Sequence, residues 1–366
     1  MSLRTDRTYA EIDVSALRNN VNFFRKKCAG KKIIAVFKAS CYGHGDELTR
    51  FVCDEIDCIG VATVEEGCRI RKFCENTPIL VLGFVPPESV KEVLENNLTL
   101  SIFSDRYAAA INAETVRFGK AVNAHVKINT GMDRLGFTPS DKEKLLALPQ
   151  YGNLHISGIF SHYAFTERES PAFFAAQTKL FLSAVDFCLA AGMSFDFVHM
   201  ANTAAASSEA VGNAVRIGYG LYGYGCREVT PVLTWKARVV QLHEAAPGER
   251  IGYSGSYLVR ENSIIATISA GYGDGYPRIM SNCGKVLFNG LILPVVGRIC
   301  MDMFMIDATG SGIKEGDEVI LVGKSGNAVI TAENLGFGYE VLCGISPRVK
   351  RYYINQSSSP IPLNSR

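Results

Sequence analysis

The sequence predicts an α/β chain in two parts: a (β/α)8 barrel over residues 1–228, then a mainly β domain over residues 229–366. Three observations carry that expectation. Before about residue 225, strand-length apolar runs alternate with helix-length segments, which implies parallel βαβ units. There are eight such runs, enough to close a barrel, and the usual barrel size of roughly 250 residues fits the stretch. Near Cys226 the rhythm changes, and Val- and Ile-rich runs then follow one another across Gly, Asn and Pro turns. A doubly wound open sheet is the competing arrangement for the first part. With 366 residues, 47% of them hydrophobic, the chain has material for two sizeable cores.

Taken in order, the apolar runs of the first part are 33–37, 58–63, 79–83, 98–103, 123–128, 155–160, 195–199 and 214–217. Helical segments fall between them at 46–57, 64–75, 87–96, 105–119, 141–148 and 170–191, with Pro87 near the first turn of its segment. In the second part, strand-like runs occupy 232–242, 250–259, 263–270, 285–296, 303–307 and 318–322. A helical pattern survives there only near 332–336, and the tail at Ser357–Pro360 reads as frayed.

Charge and cysteine content narrow the function classes. Thirty-eight Lys and Arg against 36 Asp and Glu leave a net charge of +2, so no global field gathers nucleic acid or an anionic membrane. Eleven cysteines at irregular spacings, with no C-x-x-C, read as reduced thiols of a cytoplasmic protein. The first seven residues lack the apolar core of a secretory signal. The apolar stretch 182–201 carries Asp186, Asp196 and His199, which an ordinary membrane span would not. The expectation is a cytoplasmic protein, or the cytoplasmic domain of a membrane-anchored one.

Two motifs mislead. Gly218-Tyr219-Gly220-Leu221-Tyr222-Gly223 fits G-x-G-x-x-G, but a strand follows it, and a dinucleotide fingerprint needs a helix to receive the pyrophosphate. Gly323-Lys324-Ser325 resembles the end of a P-loop whose first glycine would be Glu318, so a hairpin turn is expected instead. No H-E-x-x-H occurs, and no metal is expected.

The strand ends say more, because barrel chemistry gathers at the C-terminal ends of the strands. Lys38 ends the first strand; Lys127 ends the fifth and Arg134 follows it. His162 ends the sixth, His199 with Asn202 and Thr203 the seventh, and Arg216 the eighth. One strand-end cation commonly just reaches water, but several converging on one barrel mouth are costly to keep idle. A mouth lysine near hydroxyls and glycines suggests a Schiff base to pyridoxal phosphate. Its phosphate would sit after strands seven and eight, where Thr203 and the Gly218-Tyr219 backbone offer donors.

The segment Ala35-Val36-Phe37-Lys38-Ala39-Ser40-Cys41-Tyr42-Gly43-His44-Gly45 resembles the pyridoxal-lysine signature of the alanine racemase family. The resemblance continues through 127–136, 199–204 and 215–218. In the second part it covers 252–255, 271–276 and Gly297-Arg298-Ile299-Cys300-Met301-Asp302. It implies a TIM-type barrel followed by a β domain, a pyridoxal 5'-phosphate cofactor, and a small amino acid as substrate.

Racemisation withdraws the α-proton from one face and returns one to the other, for which two acid/base groups suffice. The resemblance assigns these to Lys38 and Tyr253, with His162 and Arg216 as the network behind the tyrosine and Arg216 facing the pyridine nitrogen. A guanidinium stays protonated, so the ring nitrogen would not be, which restrains transamination. Tyr42, His199, Asn202, Thr203, Gly218 and Tyr219 are implied as cofactor contacts. Arg134, Tyr272, Met301 and Asp302 are implied as substrate contacts, and Lys127 as a site of carbamylation that would hold Arg134. Because Tyr253 lies in the second part, the resemblance further implies a homodimer whose active sites are shared head to tail.

One departure bears on substrate. Many bacterial members carry a pattern like S-Y-R-V-P-R where this chain has Ser346-Pro347-Arg348-Val349-Lys350-Arg351. Loss of that tyrosine would leave room beside the substrate methyl, which makes serine a second candidate, as in the serine and alanine racemases of vancomycin-resistance systems. A fold-related amino-acid decarboxylase would not need Tyr253, and its glycine-rich phosphate loop is not visible here. A pyridoxal-phosphate carrier would lack the second domain.

Overall fold

A computed structural model describes residues 5–355; the Ser357–Pro360 tail lies outside them. The described residues form nineteen strands, and the first joins the later part of the chain. It is β1 (Thr8–Asp13), followed by the helix Val14–Lys27. The barrel strands are β2 (Lys32–Val36), β3 (Cys58–Val61), β4 (Ile79–Val81), β5 (Leu98–Ile102), β6 (Val122–Lys127), β7 (Leu154–Phe160), β8 (Phe197–His199) and β9 (Ala214–Ile217). Each pairs in parallel with the next, and β9 returns to β2 with Ile34 opposite Arg216, so the sheet closes. The open-sheet alternative is thereby excluded. The strands are buried on both faces, which is why they read as unbroken apolar runs.

Helices Val64–Arg71, Val90–Glu95, Asp105–Phe118, Lys142–Ala147 and Pro171–Ala190 follow successive strands. Thr63 and Ser104 cap two of them through their side chains. Segment 46–57, expected as one helix, is two 3-10 pieces, Asp46–Phe51 and Cys53–Glu55. After β8 a 3-10 turn, Thr203–Ala205, stands where a helix would go. Helix Pro171–Ala190 is long and apolar enough to cross a membrane by length and composition; Phe181, Val185 and Cys188 are buried.

The later part comprises β10 (Leu233–Ala245), β11 (Arg250–Ile251), β12 (Tyr257–Leu258), β13 (Ser263–Ile268), β14 (Lys285–Phe288), β15 (Leu291–Val296), β16 (Phe304–Asp307), β17 (Glu318–Ser325), β18 (Ala328–Ile330) and β19 (Lys350–Ile354). The sheet order is β18-β17-β14-β15-β16-β13-β10-β1-β19, and a further β17–β10 pairing closes six of these strands into a ring. Trp235, Tyr276 and Phe304 fill its core, with Trp235 Nε1 donating to Thr8 Oγ1 at 2.9 Å. The helical pattern expected near 332–336 is only the 3-10 turn Ala332–Asn334, and a short helix, Gly338–Cys343, follows it.

The chain forms two compact units that do not divide at a single point. Leu17–Cys41 and Asp46–Thr230 make the barrel unit; residues 5–16, Tyr42–Gly45 and 231–355 make the β unit. Segment Tyr42–Gly45 belongs to the β unit because Arg351 donates to the Gly43 carbonyl at 2.8 and 3.0 Å and Tyr42 packs on Tyr339.

Candidate active site

In the barrel unit the site begins with the backbone after β2. Ala39, Ser40, Cys41 and Tyr42 all have φ between 51° and 54°, a left-handed turn of four residues, none of them glycine. Left-handed helix costs about 1–2 kcal/mol per L-residue, so the turn needs outside support. Glu66 supplies part of it. Its two carboxylate oxygens accept the N–H groups of Ala39 and Ala62, each at 2.7 Å. Lys38, at the head of this turn, is exposed.

Arg216 is the centre of the cluster, 4% exposed on β9. Its Nη2 donates to the carbonyls of Ser161 and Met200 and to His162 Nδ1, at 2.8, 2.9 and 2.8 Å. Its Nη1 donates to His199 Nδ1 at 2.7 Å and to the His199 carbonyl at 3.3 Å. Among the described residues its Nε–H meets no acceptor. Burial, with Arg134 nearby, pulls the guanidinium down to about 9, still a cation at neutral pH. The same cation, after burial, holds His162 down to about 2, with Lys127, Arg134 and Lys38 adding to the effect. His199 is fully buried, stacked on Phe160 and neutral.

Lys127 closes β6, 6% exposed, with Nζ 4.5 Å above the Phe160 ring. Burial first, then the charges of Arg216 and Arg134, bring it to about 7. Among the described residues no carboxylate pairs with it. At the end of β9, Thr203 Oγ1 accepts the N–H groups of Gly218 and Gly220 at 3.2 and 3.4 Å, which leaves its own hydrogen to donate. Asn202 spends its Oδ1 on the N–H groups of Ala204 and Ala205, fixing the turn that carries Thr203. Tyr219 lies in the 3-10 turn Tyr219–Tyr222 that opens at Gly218; no helix for a dinucleotide follows. A guanidinium with one uncommitted N–H, a strand-end lysine and a hydroxyl beside glycine amides fit the ring nitrogen, aldehyde and phosphate of pyridoxal phosphate.

The β unit gathers the other expected residues. Tyr253 is 66% exposed in a 3-10 turn, Tyr253–Gly255. The turn is seated by Gly252 (φ 78°), where a Cβ would come within 3.0 Å of the Arg298 nitrogen. Arg298 also donates to Ser254 Oγ at 3.2 Å. Tyr272 and Met301 lie side by side: Tyr272 N–H donates to the Cys300 carbonyl and Gly273 N–H to the Met301 carbonyl. Asp302 accepts from Arg348 at 2.6 Å, and Arg348 is held in turn by the buried Asp274 at 2.7 Å. Arg7 also pairs with Asp274 and donates to the Asp302 carbonyl at 3.4 Å. Tyr42, expected among the cofactor contacts, packs its ring against Tyr339.

Fold and site together define the class, a two-domain barrel enzyme with a cationic site at its strand ends. Comparison with known proteins narrows it. The family "Alanine racemase, N-terminal domain" matches residues 12–225, and "Alanine racemase, C-terminal domain" matches residues 232–353. The alanine racemase of Clostridium novyi is 33% identical, over 94% of this chain and 95% of the relative. A solved alanine racemase from Clostridium difficile 630 superposes with a TM-score of 0.90 at 33% identity, covering 99% of each chain. The Bartonella henselae alanine racemase, with covalently bound pyridoxal phosphate, superposes at 0.84 with 29% identity, covering 95% of this chain and 100% of its own. The chain belongs to the alanine racemase family, isomerases that depend on pyridoxal phosphate.

Glu66 and His125 escaped the sequence reading. Thr63-Val64-Glu65-Glu66 shows the spacing of a helix capping box, and that signal conceals a carboxylate turned toward the lysine strand.

Proposed function

We propose that this chain interconverts L- and D-alanine with pyridoxal phosphate held on Lys38, and that Lys38 and Tyr253 handle the α-proton on opposite faces. The observation that carries the reading is the buried Arg216 guanidinium, bonded to two histidine nitrogens that can only accept from it. When bound, pyridoxal phosphate supplies a sink for the electron pair left at the substrate α-carbon. Arg216 would face the ring nitrogen with its Nε–H and, as a cation, would keep that nitrogen unprotonated, weakening the sink and favouring return of the proton to the α-carbon. The Thr203 hydroxyl hydrogen and the Tyr219 N–H, in the turn that opens at Gly218, would hold the phosphate, with Tyr42.

Lys38 Nζ takes or returns the proton on one face and Tyr253 Oη on the other. His162, its Nδ1 committed to Arg216, keeps its hydrogen on Nε2, where it steadies the deprotonated Tyr253 oxygen. Arg134, Tyr272, Met301 and Asp302 receive the substrate carboxylate and wall the methyl pocket. Lys127 is the site of a carbamate: its neutral amine bonds the carbon of carbon dioxide, a proton leaves to solvent, and the resulting anion answers the Arg216 and Arg134 charges.

The exposure of Tyr253, Tyr272 and Met301 supports a head-to-tail homodimer in which the partner's Tyr253 completes each site. Eleven cysteines outside any disulfide support a cytoplasmic setting, where the D-alanine would supply peptidoglycan. A serine preference of the vancomycin-resistance kind rests on Pro347 alone, and the alanine racemase relatives do not favour it. Incubation with L-alanine, L-serine and L-ornithine, followed by chiral analysis, tests the reading. D-alanine is expected as the main product. D-serine in excess would shift the substrate, and carbon dioxide from ornithine would replace the reaction.

A further inference from the structure

Beyond the two histidines bonded to Arg216, the barrel unit buries a third that touches His199. His125 lies on β6, 3% exposed, with its Nδ1 3.1 Å from His199 Nε2. Donor and acceptor counting fixes the hydrogens along this chain. A guanidinium only donates, so His199 Nδ1 accepts from Arg216 at 2.7 Å. A neutral imidazole has a single N–H, and His199 therefore carries it on Nε2. Among the described residues that hydrogen is received only by His125 Nδ1, which places the His125 hydrogen on its own Nε2. Both rings are neutral, because burial and the nearby Arg216 cation depress them, His125 to about 3.

The fold makes specific room for this ring. The β6–β7 register slips between Ala124 and His125, and the slip leaves Ser157 as the extra residue on β7. Opposite His125 stands Gly158, where a Cβ would lie 2.6 Å from the imidazole carbons. Any larger residue at 158 would displace the ring. Phe197 borders it with ring centroids 5.4 Å apart.

We infer that His125 is a positioning residue for the racemisation: acting through His199, it sets the one tautomer that lets Arg216 keep its hydrogen bonds and stay directed at the cofactor ring nitrogen. The inference rests on the reading of Arg216 given above. Without an acceptor at 125, His199 must either leave Nε2–H buried and unmet or move its hydrogen to Nδ1. There it would face the Arg216 donor.

The test compares His125→Leu, which removes the acceptor, with His125→Asn, whose amide oxygen reproduces Nδ1. Uniformly 15N-labelled histidine gives only six imidazoles, so long-range 15N–1H spectra of the holoenzyme report the His199 tautomer directly. The parent and His125→Asn are expected to show the Nε2–H form. His125→Leu is expected to lose it and to raise transamination per racemisation about tenfold, the scale of one buried hydrogen bond left unmade. A parent enzyme with His199 protonated on Nδ1 overturns the inference whether or not the leucine variant folds. An Nε2–H form that persists in His125→Leu overturns it too. A lost tautomer with an unchanged product ratio leaves the histidine chain standing and refutes the role of Arg216 at the ring nitrogen.

Discussion

Arg216 Nη2 donates to His162 Nδ1 at 2.8 Å, and this one bond fixes which His162 nitrogen is left to serve the substrate side. The arginine cannot reverse its role, since it has no lone pair to offer. Arg216→Glu should invert the arrangement. A buried carboxylate would draw a proton onto a histidine or the cofactor ring nitrogen, strengthening the sink. Racemisation should fall, and pyruvate formed per D-alanine should rise by roughly tenfold or more, the effect of one charge-assisted bond. Product analysis over many turnovers checks this. An unchanged ratio would remove Arg216 from control of the ring.

Lys127 offers a pH test. Its folded-state value near 7 lies below the ordinary lysine value, so between about 7 and the ordinary value the unfolded chain binds the extra proton. Stability should therefore rise with pH across that window in carbon-dioxide-free buffer. The penalty should be fully present below it. Lys127→Met should melt higher than the parent at pH 6.5, with the difference shrinking toward pH 10. Adding 13C-bicarbonate near pH 8 should stabilise the parent alone and give a carbamate carbon signal lost in the variant. Absence of that signal would leave Lys127 an unmodified amine.

Much of this site was legible because barrel strands announce their ends. Lys38, Lys127, His162, His199 and Arg216 each terminate or follow an apolar run, and a charge there has few structural uses. His125 was not legible, since it sits inside a run where its neighbours Ala124 and Val126 are plain core. Strand alternation puts it on the same face of β6 as Lys127, but nothing in the run marks it as more than a core residue. The unit boundary was hidden for a similar reason. Strand β1 precedes the barrel in sequence, but its partners, Leu233–Ala237 and Lys350–Ile354, lie more than two hundred residues away. The four-residue left-handed turn after Lys38 has no glycine to announce it.

Pro347 sits exposed in a turn pinned on both sides. Ser346 N–H donates to the Asp274 carbonyl at 2.9 Å, and Val349 N–H returns to Ser346 at 3.0 Å. Arg348, the next residue, links Asp274 to Asp302, so this turn is tied to the loop carrying Met301. Pro347→Tyr should lower the serine-to-alanine ratio of kcat/KM. One methylene-sized change in a pocket is worth roughly 1–3 kcal/mol, so about tenfold is expected. Equal ratios in the two proteins would show that position 347 does not border the substrate.

Tyr253 carries the most discriminating test, because the two faces can be read separately. If Tyr253 handles the proton of the L-enantiomer and Lys38 that of the D-enantiomer, Tyr253→Phe removes one base and leaves the other. Racemisation in both directions should fall by about 10²–10⁴, the usual contribution of such a group. The tyrosine is 66% exposed, so the substitution should not disturb folding. The variant should still bind cofactor and exchange the α-hydrogen of D-alanine with deuterated solvent, as Lys38 removes and returns it. Exchange into L-alanine should be lost. Joint loss of both exchanges would refute the assignment of faces. Mixing Tyr253→Phe with Lys38→Ala subunits then asks where the tyrosine acts. If the partner's Tyr253 completes each site, a mixed dimer pairs one intact Lys38 with one intact Tyr253 in a single site, and activity should return in proportion to the mixed dimer. Subunits shown to exchange without recovering activity would place Tyr253 and Lys38 of the same chain in one site.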